Sequence, residues 1–124
     1  MKKFRFRKFQ VYKDALRFRK ELKELSKKKF PKEEDYVLRQ QLWRALDSIV
    51  LNIAEGSDRG TDKDFAHFLN MAQTSLYEVV ACLDLALQDR YITAREHENF
   101  LAEAEHLANQ LSAFRNKLLR EPMK

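Results

Sequence analysis

Glycine and proline are scarce in this chain, two of each among 124 residues, which leaves few places for turns. Apolar residues instead recur at the three- and four-residue spacing of a helix face, so the expected class is all-α, a single domain spanning residues 1–124 with one core. One cysteine, Cys82, is too few for an internal disulfide and fits a reducing compartment or a buried thiol. No apolar run approaches the roughly 18 residues that span a bilayer, and no apolar segment follows the basic residues between Met1 and Lys8. A soluble, cytoplasmic protein without membrane contact is expected. Gly56 and Gly60 are too few for a phosphate loop, and Cys82 on a long apolar helix reads as a small core residue rather than a nucleophile. No catalytic residue and no cofactor is therefore expected.

What is plentiful is positive charge, and it is unevenly placed. The net charge is +5, yet residues 1–29 hold 13 Lys and Arg against 3 Asp and Glu, while the remainder holds 11 against 16. A basic first quarter on a mildly acidic body is an electrostatic footprint for a polyanion or an acidic partner surface.

Four helices account for almost the whole chain. The first is expected at about 10–28, with Val11, Ala15, Phe18, Leu22 and Leu25 inward and Lys27 to Lys29 at the end where the macrodipole favours cations. Phe30 and Pro31 break it, and Glu33, Glu34 and Asp35 open a second helix at about 32–57. Thr61 with Asp62 and Asp64 caps a third, at about 61–89, carrying Phe65, Leu69, Ala72, Leu76, Val79, Leu83 and Ala86. Thr93 and Glu96 form the capping box of a fourth, at about 93–119, with Phe100, Ala104, Leu107, Leu111, Phe114 and Leu118 inward. Short connections imply antiparallel neighbours, hence an up-down-up-down four-helix bundle.

Residues 1–9 form a basic aromatic arm. Phe4, Phe6 and Phe9 either pack on the bundle or a neighbouring subunit, or stack bases while the arm's arginines meet phosphates; packing is favoured because exposed aromatics usually find protein to cover. The segment from Gln40 to Gly60 is the most specific in the chain. Leu38, Leu42, Ala45, Ile49 and Ile53 make an inner stripe, and Ser48, Asn52 and Glu55 lie beside it at i, i+4 and i+7. Ser75 and Glu78 would face them from the third helix, with Arg44 or Arg59 as countercharge. A structural network fixing helix register is favoured over a catalytic one, since buried polar groups need partners.

Two pairs have the spacing of bundle metal ligands, Glu103 with His106 and Asp64 with His67. Both are expected to face solvent, and no metal site is assigned. Trp43, Tyr36, Phe68 and Tyr77 exceed what one inner stripe per helix uses. Some would widen the core, whereas Trp43 on the flank of the second helix fits a subunit interface.

The ordered pieces Lys8 to Ala15, Phe30-Pro31 with Glu34, Tyr36 and Leu38, then Gln41-Leu42, Arg44-Ala45, Ser48-Ile49, Asn52-Ile53-Ala54-Glu55-Gly56 and Arg59, resemble a known family. It comprises the small four-helix bundle proteins encoded by intervening sequences in large-subunit ribosomal RNA genes. Phe65, Phe68, Leu69, Ser75-Leu76, Glu78 and Arg90-Tyr91-Ile92 extend the likeness, which covers roughly residues 8 to 118. Tyr12 stands where the family usually has Trp, and the segment before Phe9 is unusually basic. The resemblance implies a ring-like homopentamer without established enzymatic activity. It also implies a fold similar to the accessory variability determinant proteins of diversity-generating retroelements, which bind nucleic acid and a reverse transcriptase through basic surfaces.

The expected function is that of a non-enzymatic oligomer binding RNA or DNA through Lys13, Arg17, Lys20 and Lys27, with Arg5, Arg7 and Lys8 of the arm. The alternative is a scaffold or accessory subunit whose basic surface meets an acidic protein partner such as a polymerase.

Overall fold

The computed structural model describes residues 3–120 and, within them, four α-helices and no strand. They are α1 (Gln10–Lys29), α2 (Leu38–Gly56), α3 (Asp62–Gln88) and α4 (Ala94–Arg120), with 3-10 turns at Arg5–Lys8 and Lys32–Glu34. Their inner stripes meet in one core. Leu22, Leu42, Ile49, Ile53, Leu69, Leu76, Leu83, Leu107 and Leu111 are all but fully buried, each contributing about 1.5–3 kcal/mol of transfer free energy. Cys82 belongs to this core, and burial, then the charge of Glu78, pushes its thiol up to about 11. Among the described residues no helix is long and apolar enough to cross a membrane.

The helix ends show how local chemistry sets the boundaries. Thr61 Oγ1 accepts from the Asp64 N–H at 3.1 Å and starts α3. The Thr93–Glu96 box closes reciprocally at 2.9 and 3.1 Å and starts α4. Between them α3 ends in a Schellman turn: Tyr91 N–H donates to Ala86 O and Arg90 N–H to Leu87 O, with Arg90 at φ 63°. A left-handed arginine costs free energy that glycine would not.

The helix expected from Lys32 begins only at Leu38. Glu34 and Asp35 act from outside it instead. Glu34 Oε1 accepts from the Leu38 N–H at 3.3 Å, and its Oε2 takes the Tyr91 hydroxyl at 2.6 Å, a bond that raises the phenol to about 12. Asp35 pairs with Arg39, whose Nη2 also donates to the carbonyls of Ser26 and Phe30. These side chains hold a kinked junction that a continuous helix would not permit.

Gly56 closes α2 for a steric reason. A Cβ there would lie 2.6 Å from Phe68 Cβ and 3.0 Å from Phe65 Cδ1, so only glycine lets α2 and α3 approach this closely.

Candidate functional site

The residues expected to form a network along α2 divide into two groups. Ser75 Oγ donates to Ser48 Oγ at 2.8 Å, and Asn52 Nδ2 donates to Ser48 O and Oγ at 2.8 and 3.0 Å, so these three side chains join α2 to α3. Glu55 and Arg59 pair with each other at 2.9 Å on the surface, and the Arg59 guanidinium covers the Phe68 ring at 4.4 Å. Glu55 lies in the last turn of α2, about 60° further round the helix from the core than Asn52, so it is exposed and Arg59 is the nearer partner. Glu78 sits about 60° round α3 from Ser75 and is exposed, as is Arg44. The network is smaller than the spacing suggested and carries no charge.

The basic residues divide as well. Arg5 donates through Nε and Nη2 to Ser57 O at 3.3 and 3.0 Å, and its guanidinium lies over Phe9 and Phe65. It caps the C-terminal end of α2, which makes it an architectural residue rather than a free phosphate ligand. The arm's rings agree with that role: Phe6 meets Tyr12 edge-on at 4.9 Å and Phe9 meets Phe114 at 5.2 Å. Arg7 and Lys8 are exposed. On α1, Lys13, Lys20 and Lys27 recur every seven residues along the outermost line of the helix, and all three are exposed. Arg17 flanks them, exposed but bonded to Asp14 at 3.0 Å.

Two polar sites went unrecognised in the sequence. Asp14 is 8% exposed and accepts from Gln10, Arg17 and, across the α1–α4 seam, from Gln110 at 2.8 Å. Burial alone would raise its carboxyl, but Gln110, Gln10 and Arg17 outweigh it and hold the group below its ordinary range. On the same seam Glu103 is half-buried beside the exposed Glu21. Burial, then the hydrogen bond and charge of Glu21, raises its carboxyl. His106 bonds to Gln110 at 2.9 Å, and Asp64 and His67 are exposed on α3.

The second site is the α1–α2 junction. Ser26 is fully buried and accepts the Trp43 indole N–H at 2.8 Å. The ammonium groups of Lys23 and Lys27 lie over the Trp43 ring, 4.8 and 5.4 Å from its centroid. Lys23 and Arg19 also bond Asp47, at 2.8 and 2.6 Å; burial alone would raise that carboxyl, and the two cations outweigh it and depress it. Beside Trp43 opens a cleft of about 610 Å³, lined in part by Lys27, Lys32, Tyr36 and Arg39. A second groove of about 510 Å³, largely apolar, runs between α3 and α4 along Leu76, Val80, Ala104 and Ala108.

Fold and surface together define a small four-helix bundle with uncharged or paired polar links inside and a cation-rich first helix outside. The chain belongs to the 23S rRNA-intervening sequence protein family, whose model matches residues 7–113. In fold it is similar to a protein of unknown function from the S23 ribosomal protein family of Bacteroides thetaiotaomicron. The TM-score is 0.74 and the identity 23%, with 85% of this chain and 97% of that one covered. No curated protein matches the chain.

Proposed function

We propose that this protein is a non-enzymatic, oligomeric bundle of the cytoplasm that binds nucleic acid through the outer face of α1. The observation that carries the reading is the line of Lys13, Lys20 and Lys27, exposed and, among the described residues, without a carboxylate partner at salt-bridge distance. Phosphate binding of this kind is sequence-tolerant and weakens steeply with salt. Arg17 and Lys8 extend the surface, and Arg7 lies on it, while Arg5 contributes only by holding the arm in place.

Assembly would multiply modest contacts. Links between opposite ends of α1 and α4, Asp14 with Gln110 and Lys29 with Glu96, support an antiparallel packing of these two helices, as an up-down-up-down arrangement requires. Tyr77, Leu85 and Leu101 are exposed around or near the α3–α4 groove and supply an apolar surface suited to a neighbouring subunit. The family resemblance favours a ring-like homopentamer, which light scattering tests directly.

Fluorescence anisotropy with RNA and DNA at low and moderate salt tests binding itself. Lys13→Glu combined with Lys20→Glu should weaken all sequences alike and lower the salt slope by about one per lysine. Absence of binding at low salt overturns the reading. A second reading, an acidic protein partner, is favoured by Leu16, which is exposed on α1 beside Lys13 and Lys20 and suits a protein surface better than phosphates. A partner that survives nuclease treatment during co-purification would support it.

A further inference from the structure

We propose that the cleft at the α1–α2 junction receives an unpaired nucleotide of a single strand, its base stacked on Tyr36 and its phosphate held by Lys27 and Lys32. The inference rests on the nucleic-acid reading above and names what that surface selects. Four observations carry it.

Tyr36 is 87% exposed, an unusual state for a large ring, and stands at the mouth of the cleft with Val37 beside it, also exposed. A free aromatic face there offers a base the stacking surface that single-strand binders use. The cleft, about 610 Å³, lies within the usual range of small-ligand sites, roughly 300–1,000 Å³, and so has room for a nucleotide.

Its charge is selective. Arg39 lines the cleft but is tied to Asp35 and to the carbonyls of Ser26 and Phe30, so that pair cancels and gives a rigid wall. Among the described residues Lys27 and Lys32 then have no carboxylate at salt-bridge distance, and Lys27 is positioned over the Trp43 ring. The ring itself is fixed through Ser26. Aromatic surface beside surplus positive charge is complementary to an aromatic anion, and a nucleotide in a strand is one.

Position completes the argument. Lys27 is both a wall of the cleft and the last member of the α1 line, so a strand tracking Lys13 and Lys20 arrives at the cleft. That line is about 21 Å long at a rise of 1.5 Å per residue, the length of about six nucleotides at 3.4 Å each. A duplex reaches the same lysines but keeps its bases stacked and cannot fill the cleft.

Trp43 is the sole tryptophan of the chain, so its emission reports the cleft alone. The experiment titrates an eight-nucleotide oligothymidylate and a duplex of equal phosphate number at low salt, reading Trp43 emission and anisotropy together. The expected result is saturable quenching by the single strand and none by the duplex. Tyr36→Ala, an exposed substitution whose helicity is checked by circular dichroism, should weaken single-strand binding about tenfold, the effect of one lost stacking contact, and leave duplex binding unchanged. Single strands that bind without altering Trp43 emission, and bind Tyr36→Ala as tightly as the parent, overturn the cleft assignment while the α1 surface stands. No binding of either polymer overturns both. A Trp43 emission that changes on dilution of the protein and ignores nucleic acid assigns the cleft to a subunit contact and likewise overturns the proposal.

Discussion

Along the α2–α3 seam the backbones come so close at Gly56 that a single added carbon would collide with Phe68, and the polar link there is the uncharged set of Ser48, Asn52 and Ser75. Along the α1–α4 seam the rings of Phe18 and Phe100 still meet, 6.5 Å apart, but the links between the helices are ionisable: Asp14 with Gln110, Glu21 with Glu103, and Lys29 with Glu96. One seam is set by shape and the other by charge. The helix that carries the cationic surface is therefore the one whose attachment responds to pH and salt.

The sharpest way to break that contrast is Gly56→Val. Its Cβ meets the Cβ of Phe68, which moves only with the α3 backbone, so a loss of about 3 kcal/mol is expected in urea unfolding. A loss smaller than that of the next variant would show the α2–α3 seam is not the tighter one. Asp14→Ala should cost about 2 kcal/mol at neutral pH, because it removes a buried carboxylate that accepts from Gln10, Arg17 and Gln110. The Asp14 carboxyl is depressed on folding, so its contribution is present above its ordinary value of 3.8 and is lost as pH falls through the folded value. The gap between parent and variant, measured from pH 7 down to pH 2, should close below 3.8.

Glu103→Gln is the smallest change and has the opposite sign. Its carboxyl is raised on folding, so the favourable protonated form is fully present below the ordinary value of 4.5 and is lost as pH rises through the folded value. Replacing it with a neutral amide that still donates to Glu21 should stabilise the protein by a few tenths of a kcal/mol at pH 7 and change little at pH 4. Thermal unfolding at the two pH values checks this, and equal effects at both would remove Glu103 from the charge-held seam.

Much of this architecture is written locally. The three- and four-residue spacing in α3 marks Phe65, Leu69, Ala72, Leu76, Val79, Leu83 and Ala86, all buried, and passes over only the buried Ala66 and Cys82 between them, while Thr61 and the Thr93–Glu96 box act within three residues of themselves. Those signals need no tertiary knowledge. Asp14 illustrates the opposite case: one of its donors lies 96 residues away, and nothing in its own neighbourhood distinguishes it from the exposed charges of α1. Ser26 and Trp43 are similar, meeting across the kinked junction, and that junction itself was hidden because Glu34 and Asp35 mark a helix start equally well from inside or outside the helix. Arg5 looked like a free cation since its acceptor, Ser57 O, is a main-chain atom visible only once the arm and α2 are placed together. On α2, spacing puts Ser48, Asn52 and Glu55 on one side of the helix, but Glu55, about 60° further from the core than Asn52, is exposed. Spacing gives the side of a helix and not where on that side the neighbour's cover stops.

The buried Cys82 thiol has a practical consequence. With its proton held to about pH 11 and its sulfur enclosed by α3 and its neighbours, it should resist alkylation in the folded protein. A cysteine introduced at an exposed site outside both proposed surfaces, Asn109 for example, would then be the one thiol that takes a maleimide dye, without first removing the native one. Distances between copies in an assembly, and between α1 and a bound strand, become measurable by energy transfer on an otherwise unaltered chain.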